Sequence, residues 1–324
     1  MTKVYSAVKL PEVAQQLFKD AGIELDMFDV LDTPSEAEMI EGVKDADALI
    51  SGVNVPVTAA VIEANPNLKV IANVGAGFNN IDVDKANELG ISVTNTPTHD
   101  SLSSTAELAL GLMLAVSRRI IPGHKVAEAD AYPGWQAMGY TGGNQVTGKT
   151  MVVYGFGGIG RIIGQYAKAL GMDLLYIGNH DAPKEYTDEF GGRRVSEEEG
   201  LKEADYLFLQ MSYRPENHHL MGAEEFKLMK DSAYLINTAR GGIVDEEALA
   251  DALEAGELAG AALDVHEKEP KINQRLAHME NVVITPHIGN DTYEARDEMS
   301  SVASEQAIKG VTGKELDYVV NEPK

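Results

Sequence analysis

Residues 148–163 read Gly148-Lys-Thr-Met-Val-Val-Tyr-Gly155-Phe-Gly157-Gly-Ile-Gly160-Arg-Ile-Ile163, and this stretch decides the fold. Met151–Tyr154 is a short apolar, β-branched run of the kind that forms a buried strand. It runs straight into G-x-G-x-x-G at Gly155, Gly157 and Gly160, and a helical pattern over Gly160–Leu170 follows at once. The first glycine permits a tight turn, the second lets backbone approach a pyrophosphate, and the third lets helix and strand pack closely. The helix N-terminus adds N–H groups and the positive end of its dipole. With a second strand-like run at Leu174–Ile177, the stretch predicts a dinucleotide site formed by Gly155, Gly157, Gly158, Ile159 and Gly160.

Outward from this unit the same alternation covers nearly the whole chain. Strand-like runs stand at Val4–Val8, Ala48–Ile50, Val70–Val74 and Ile91–Thr94 on one side. On the other they stand at Tyr206–Gln210, Ala233–Asn237, Gly260–Val265 and Val282–Thr285, with helical segments between. Alternating strands and helices predict an α/β protein with parallel sheets and right-handed crossovers. A length of 324 residues is enough for two such domains, each with its own core. One long helix is expected from about Leu102 to Ile121 as the passage between them. A helical tail, Ala295–Lys309, is too short to fold alone and is expected to return to the first domain.

Composition narrows the function. The net charge of −24 repels phosphate backbones and anionic headgroups, so nucleic acid and membrane surfaces are not expected partners. There is no cysteine, which removes disulfides, thiolate catalysis and Cys-ligated metals and suits a cytoplasmic location. No metal site is expected, since the pair His218–His219 has no further ligands nearby in sequence.

Two further readings concern chemistry. NAD sites usually place Asp or Glu at the end of the second strand to bind the ribose hydroxyls. Here the strand ends Tyr176-Ile177-Gly178-Asn179-His180, with no acid. Asn179 and His180 are candidates to bind a 2′-phosphate, Lys184 adds charge nearby, and Asp181 opposes it if it points inward. NADP(H) is therefore favoured, with NAD(H) open. Beyond strand ends in the second half stand Arg240, Glu269 and His287, with His266 a competitor of His287. Each alone reads more readily as a surface charge or a loop histidine than as a functional group. Together they suit hydride chemistry: an imidazole to exchange the alcohol proton, a carboxylate to orient it, and a guanidinium fork to hold a substrate carboxylate.

At NVGAGFNNID (73–82), STAELALGLMLAVSRR (104–119), LINTARGGIVDEEAL (235–249), AALDVHEKEP (261–270) and ITPHIG (284–289) the chain resembles the D-isomer-specific 2-hydroxyacid dehydrogenases, of the glyoxylate/hydroxypyruvate reductase kind. The spacing agrees, with 29 residues from Arg240 to Glu269 and 18 from Glu269 to His287. The resemblance implies that Arg240 binds the substrate, Glu269 pairs with His287, and His287 is the proton donor in reduction and the base in oxidation. It implies Asp264 at the nicotinamide carboxamide, Thr238 and Ala239 along the nicotinamide, and Val53, Ala76 and Gly77 at the substrate. It also implies a flavodoxin-like substrate domain from 1–100 and 288–324, a Rossmann domain from 101–287, and a homodimer joined through the Rossmann domains.

The chain also departs from the family. The ribose acid is missing, Ser212-Tyr213-Arg214 replaces a usual Pro-Leu-Thr, and Gly52-Val53-Asn54 follows the third strand where some relatives carry a basic residue. The last point favours small monocarboxylates such as glyoxylate or hydroxypyruvate, reduced to the D-2-hydroxy acid. The alternatives are a cofactor-sensing binding protein of the same fold and a phosphite-type dehydrogenase.

Overall fold

The computed structural model describes residues 2–30 and 32–323. Leu31 lies outside the described residues, as do Met1 and Lys324, the outer ends of the expected split domain. The chain forms two compact units, one running to Ser101 and resuming at Asn290, the other comprising Leu102–Gly289.

The first unit carries β1 (Lys3–Ser6), β2 (Glu24–Met27), β3 (Ala48–Gly52), β4 (Val70–Val74) and β5 (Ser92–Thr94) in the order β2-β1-β3-β4-β5, all parallel. Both central strands, β3 and β4, are buried at every position, as expected for a sheet covered on both faces. On one face Phe18 of helix Glu12–Ala21 packs on Val4, Ile50, Val70 and Ala72. Met299, Ala303 and Ala307 of helix Tyr293–Thr312 join them there. Past that helix, Val320 N–H donates to Val93 O (2.9 Å) and Asn321 Oδ1 accepts from Val93 N–H (2.8 Å). The tail thus pairs with the edge strand β5.

The second unit carries β6 (Thr150–Tyr154), β7 (Asp173–Ile177), β8 (Arg193–Arg194), β9 (Tyr206–Leu209), β10 (Tyr234–Asn237), β11 (Gly260–Leu263) and β12 (Val282–Ile284). Their order is β12-β11-β10-β9-β6-β7-β8, again all parallel. The strand order reverses at β6, between β7 and β9. A sheet of this kind opens its ligand crevice there, beyond the C-terminal strand ends. The architecture is the doubly wound α/β arrangement that the alternation implies.

Three local features differ from expectation. β2 reads Glu-Leu-Asp-Met and lies at an edge with alternate positions exposed, so it has no apolar run to mark it. β8 is only two residues long and exposed. The long helix is two: His99–Ser117 ends, Arg119 takes a left-handed φ of 51°, and a new helix covers Ile120–Glu128. The break is fixed from outside, because Asn144 N–H donates to Ser117 O at 2.7 Å and Gly143 lies against the Arg118 backbone.

Candidate active site

The glycine turn answers to two different demands. Gly155 has φ +99°, and a Cβ there would lie 2.5 Å from Met211 N; a Cβ on Gly160 would lie 2.4 Å from Gly155 O. Both are required by the protein's own packing. Gly157 is not: its φ of −83° suits any residue, and a Cβ there would meet nothing within 4 Å. The space beside that backbone, at the start of helix Gly158–Ala169, is what a pyrophosphate needs. The residues present therefore fit a dinucleotide. Gly158 is packed by Leu102, 2.8 Å from its absent Cβ, and Ile159 lies against the core beneath the turn. A cleft of about 310 Å³ joins Gly155, Phe156 and Arg161 to Asn179, His180 and Asp181, so the ribose-side candidates share it with the turn.

In the loop after β7, Asp181 does not point freely inward. Its carboxylate pairs with Arg194 at 3.2 Å, while Lys184 turns to Asp188 at 2.5 Å. Reading along the loop found no arginine because Arg194 arrives from β8, which pairs with β7 at Tyr176. The signal in the sequence is the Arg193-Arg194 doublet just before Val195.

The side chains of Glu269 and His287 meet. His287 Nδ1 lies 2.9 Å from Glu269 Oε2, and Glu269 Oε1 accepts from His266 N–H, also at 2.9 Å. Burial alone would push the Glu269 pKa up, but the hydrogen bond and charge of His287 and the His266 N–H prevail and hold it below the usual carboxylate range. Glu269 is therefore ionised in the neutral range, and the pairing is lost only as pH falls through that lowered value. An ionised acceptor requires a proton on Nδ1, which leaves Nε2 as the nitrogen that exchanges protons. Glu269→Gln removes the charge that favours protonated imidazole. The limb at low pH, where the wild-type pairing is lost as Glu269 takes up a proton, should disappear from the profile for reduction, with kcat at neutral pH down about 10-fold or more. A profile that keeps this limb would show that the pair does not tune the acid.

His287 has a left-handed φ of 56°, and Asp264 is what holds it there. Asp264 O accepts from His287 N–H (2.7 Å). Its carboxylate accepts from Thr285 Oγ1 (2.6 Å), Ile288 N–H (2.8 Å) and Gly289 N–H (2.8 Å). The Asp264 side chain is buried, and both of its oxygens help to shape the His287 turn. His266, the competitor, is also buried, and its Nε2 bonds Thr285 O at 2.9 Å. It ties the ends of β11 and β12 together and has no route to a substrate proton.

Arg240 follows β10. Asn237 Nδ2 donates to Arg240 O (3.0 Å) and Ala239 N–H to Asn237 Oδ1 (3.0 Å), while Arg240 Nη1 donates to Ala239 O (2.7 Å). Next to it a Cβ on Gly241 would lie 2.0 Å from His266 C, so only glycine lets this turn close on the end of β11. Burial pushes the Arg240 pKa down and the Glu269 charge pulls it up; a guanidinium stays charged regardless. Thr238 is buried, its Oγ1 accepting from Gln210 Nε2 at 2.6 Å. Gln210 Oε1 is buried without a partner, a polar atom at the C-terminal strand ends that sequence reading missed.

The structure places Val53, Ala76 and Gly77 in the first unit, apart in sequence from this group. Asn95 Nδ2 donates to Ala76 O (2.6 Å) and Asn73 Nδ2 to Gly77 O (2.8 Å). In a trans peptide the next N–H points opposite its carbonyl, so these amides turn the N–H groups of Gly77 and Phe78 the other way. Among the described residues no group of three His, Asp or Glu side chains could hold a metal ion, and no helix is long and apolar enough to cross a membrane.

Residues 110–289 match the family described as D-isomer specific 2-hydroxyacid dehydrogenase, NAD binding domain. The chain belongs to that family. A protein of Staphylococcus haemolyticus assigned by name to the 2-hydroxyacid dehydrogenases is 47% identical over 99% of this chain and 100% of its own length. A protein of Thermus thermophilus superposes with a TM-score of 0.91 at 36% identity, over 98% of this chain and 100% of the other. A glyoxylate reductase from Paecilomyes thermophila superposes with a TM-score of 0.89 at 29% identity, over 100% and 99%. The protein is thus a 2-hydroxyacid dehydrogenase with a nicotinamide-dinucleotide-binding unit at Leu102–Gly289.

Proposed function

We propose that this dehydrogenase reduces a small 2-oxo monocarboxylate, glyoxylate or hydroxypyruvate, to the D-2-hydroxy acid with NADPH favoured over NADH, and catalyses the reverse. The observation that carries the reading is the 2.9 Å bond from His287 to an ionised Glu269, in the same unit as the glycine turn and Arg240. When bound, the reduced nicotinamide supplies a hydride to the carbonyl carbon. His287 gives its Nε2 proton to the carbonyl oxygen, and Glu269 steadies the imidazole through Nδ1. The Arg240 fork holds the substrate carboxylate and so fixes the carbonyl's orientation. Thr238 and Ala239 are assigned to the nicotinamide side, and Asn179 and His180 to the ribose side. Val53, an apolar residue that fills the place of a Cβ on Gly75, supports a substrate with a single charge.

The test is a panel of 2-oxo acids with NADPH and with NADH, following loss of nicotinamide absorbance. Turnover of glyoxylate or hydroxypyruvate with the higher kcat/KM for NADPH supports the reading; no turnover of any 2-oxo acid sinks it.

The same proposal includes a homodimer through the second unit. After helix Ile120–Glu128, Trp135 is 82% exposed and Met138 97%, with Tyr132 and Tyr140 also exposed. Such a concentration of apolar side chains marks a surface that another molecule covers. Wild type should elute as a dimer in light-scattering chromatography, and Trp135→Ser with Met138→Ser should shift it to monomer. A monomeric wild type refutes this part.

A further inference from the structure

We infer that Arg194 is the residue that recognises a phosphate on the adenosine ribose, with Asp181 as the internal anion that occupies it beforehand. The inference rests on the NADP(H) reading above and names the group that would make the distinction.

Arg194 reaches the loop after β7 with all three of its nitrogens. Nε donates to Gly178 O (2.9 Å), Nη2 to Asn179 O (3.1 Å) and Nη1 to Asp181 Oδ1 (3.2 Å). A guanidinium has five N–H bonds, so two remain for an acceptor. The loop is pinned at its far end too, where Ala182 N–H donates to the Tyr176 hydroxyl at 2.9 Å. The cation is therefore fixed beside the position at which an NAD site carries its ribose acid. That position is Gly178, where a Cβ would meet only His180 O, at 3.8 Å. Nothing in the protein's packing demands glycine there, and its bare backbone leaves room for a bulkier ribose substituent.

Among the neighbouring cations, Arg194 is the one suited to the role. Arg161 lines the cleft but lies over the Tyr186 ring at 4.5 Å, and Lys184, 84% exposed, offers a single flexible ammonium where Arg194 offers a planar fork already held against the loop. His180 lines the cleft but carries charge only when protonated. The Asp181 partner is 81% exposed and Arg194 39%, and an ion pair so open to water holds weakly. A phosphate dianion offers more charge and more acceptor oxygens than one carboxylate, and takes its place.

Isothermal titration with adenosine 2′,5′-bisphosphate and with 5′-AMP tests this without turnover. Wild type should bind the bisphosphate more tightly. Arg194→Met, which keeps the apolar stem, should weaken bisphosphate binding about 10-fold or more and change 5′-AMP binding less than about 2-fold. Asp181→Asn should strengthen bisphosphate binding several-fold by removing the competing anion. Equal loss for both ligands in Arg194→Met, loss for neither, or weaker bisphosphate binding in Asp181→Asn overturns the inference while leaving the NADP(H) reading intact. Equal affinity of wild type for the two ligands overturns both.

Discussion

His287→Ala is expected to lower kcat for 2-oxo acid reduction about 10³-fold, within the range that removal of a positioned general acid produces, and to leave NADPH affinity within about 2-fold. The local structure supports such a clean separation. Asp264 grips the turn through the backbone N–H groups of His287, Ile288 and Gly289 and through Thr285 Oγ1, none of which is the imidazole. Losing the ring therefore removes the proton donor and frees Glu269 while the turn keeps its anchors. Alanine does not favour the left-handed φ of 56°, so His287→Asn, which tolerates that region, is the control for backbone effects. Both variants should fall alike in kcat and bind cofactor alike by fluorescence titration. Retention of more than about a tenth of kcat in either would remove His287 from the acid–base role. His266 would not then take its place: its ring is buried and bonded to Thr285 O, so His266 substitutions should read out in thermal stability.

How much of this was legible in the sequence follows from whether the signal was local. The turn at Gly155–Gly160 was, because strand, glycines and helix are contiguous and each constrains the next. Arg240, Glu269 and His287 were legible as residues beyond strand ends, though only the fold shows that Glu269 reaches across 18 residues to His287 Nδ1. The hold of Asp264 on the His287 turn was hidden for a physical reason. Its sequence neighbours place it at the end of β11, but its oxygens are claimed by groups on the β12 side, more than twenty residues on. Arg194 was missed in the same way, since β8 has two exposed residues and no apolar pattern, and its meaning comes from pairing beside β7. Arg119's helix break likewise depends on a loop that returns from residue 143. Edges and tertiary bonds, not periodic elements, are what a single sequence conceals.

Arg240→Lys tests the substrate side, and a conservative change of charge should be anything but conservative there. The guanidinium is half-buried, held by Ala239 O at 2.7 Å, and aimed by a turn whose carbonyl is fixed to Asn237. Lysine replaces a planar fork with a point charge, losing two-bond recognition of a carboxylate and with it the fixed orientation of the carbonyl. The expected loss is about 10²–10³ in kcat/KM, corresponding to about 2.7–4 kcal/mol. It should be shared between KM and kcat, because Arg240 both binds the acid and orients it for reaction. Burial already pushes the pKa of the native arginine down, which costs a guanidinium nothing at neutral pH. The same burial acting on an ammonium brings its titration toward the working range. The lysine variant should therefore lose further activity as pH rises, where the wild type does not lose it by this route. Nicotinamide cofactor affinity should be unchanged in both. A rise in KM alone, with kcat intact across pH, would show that Arg240 supplies charge without orientation and would place the alignment of the carbonyl on other groups.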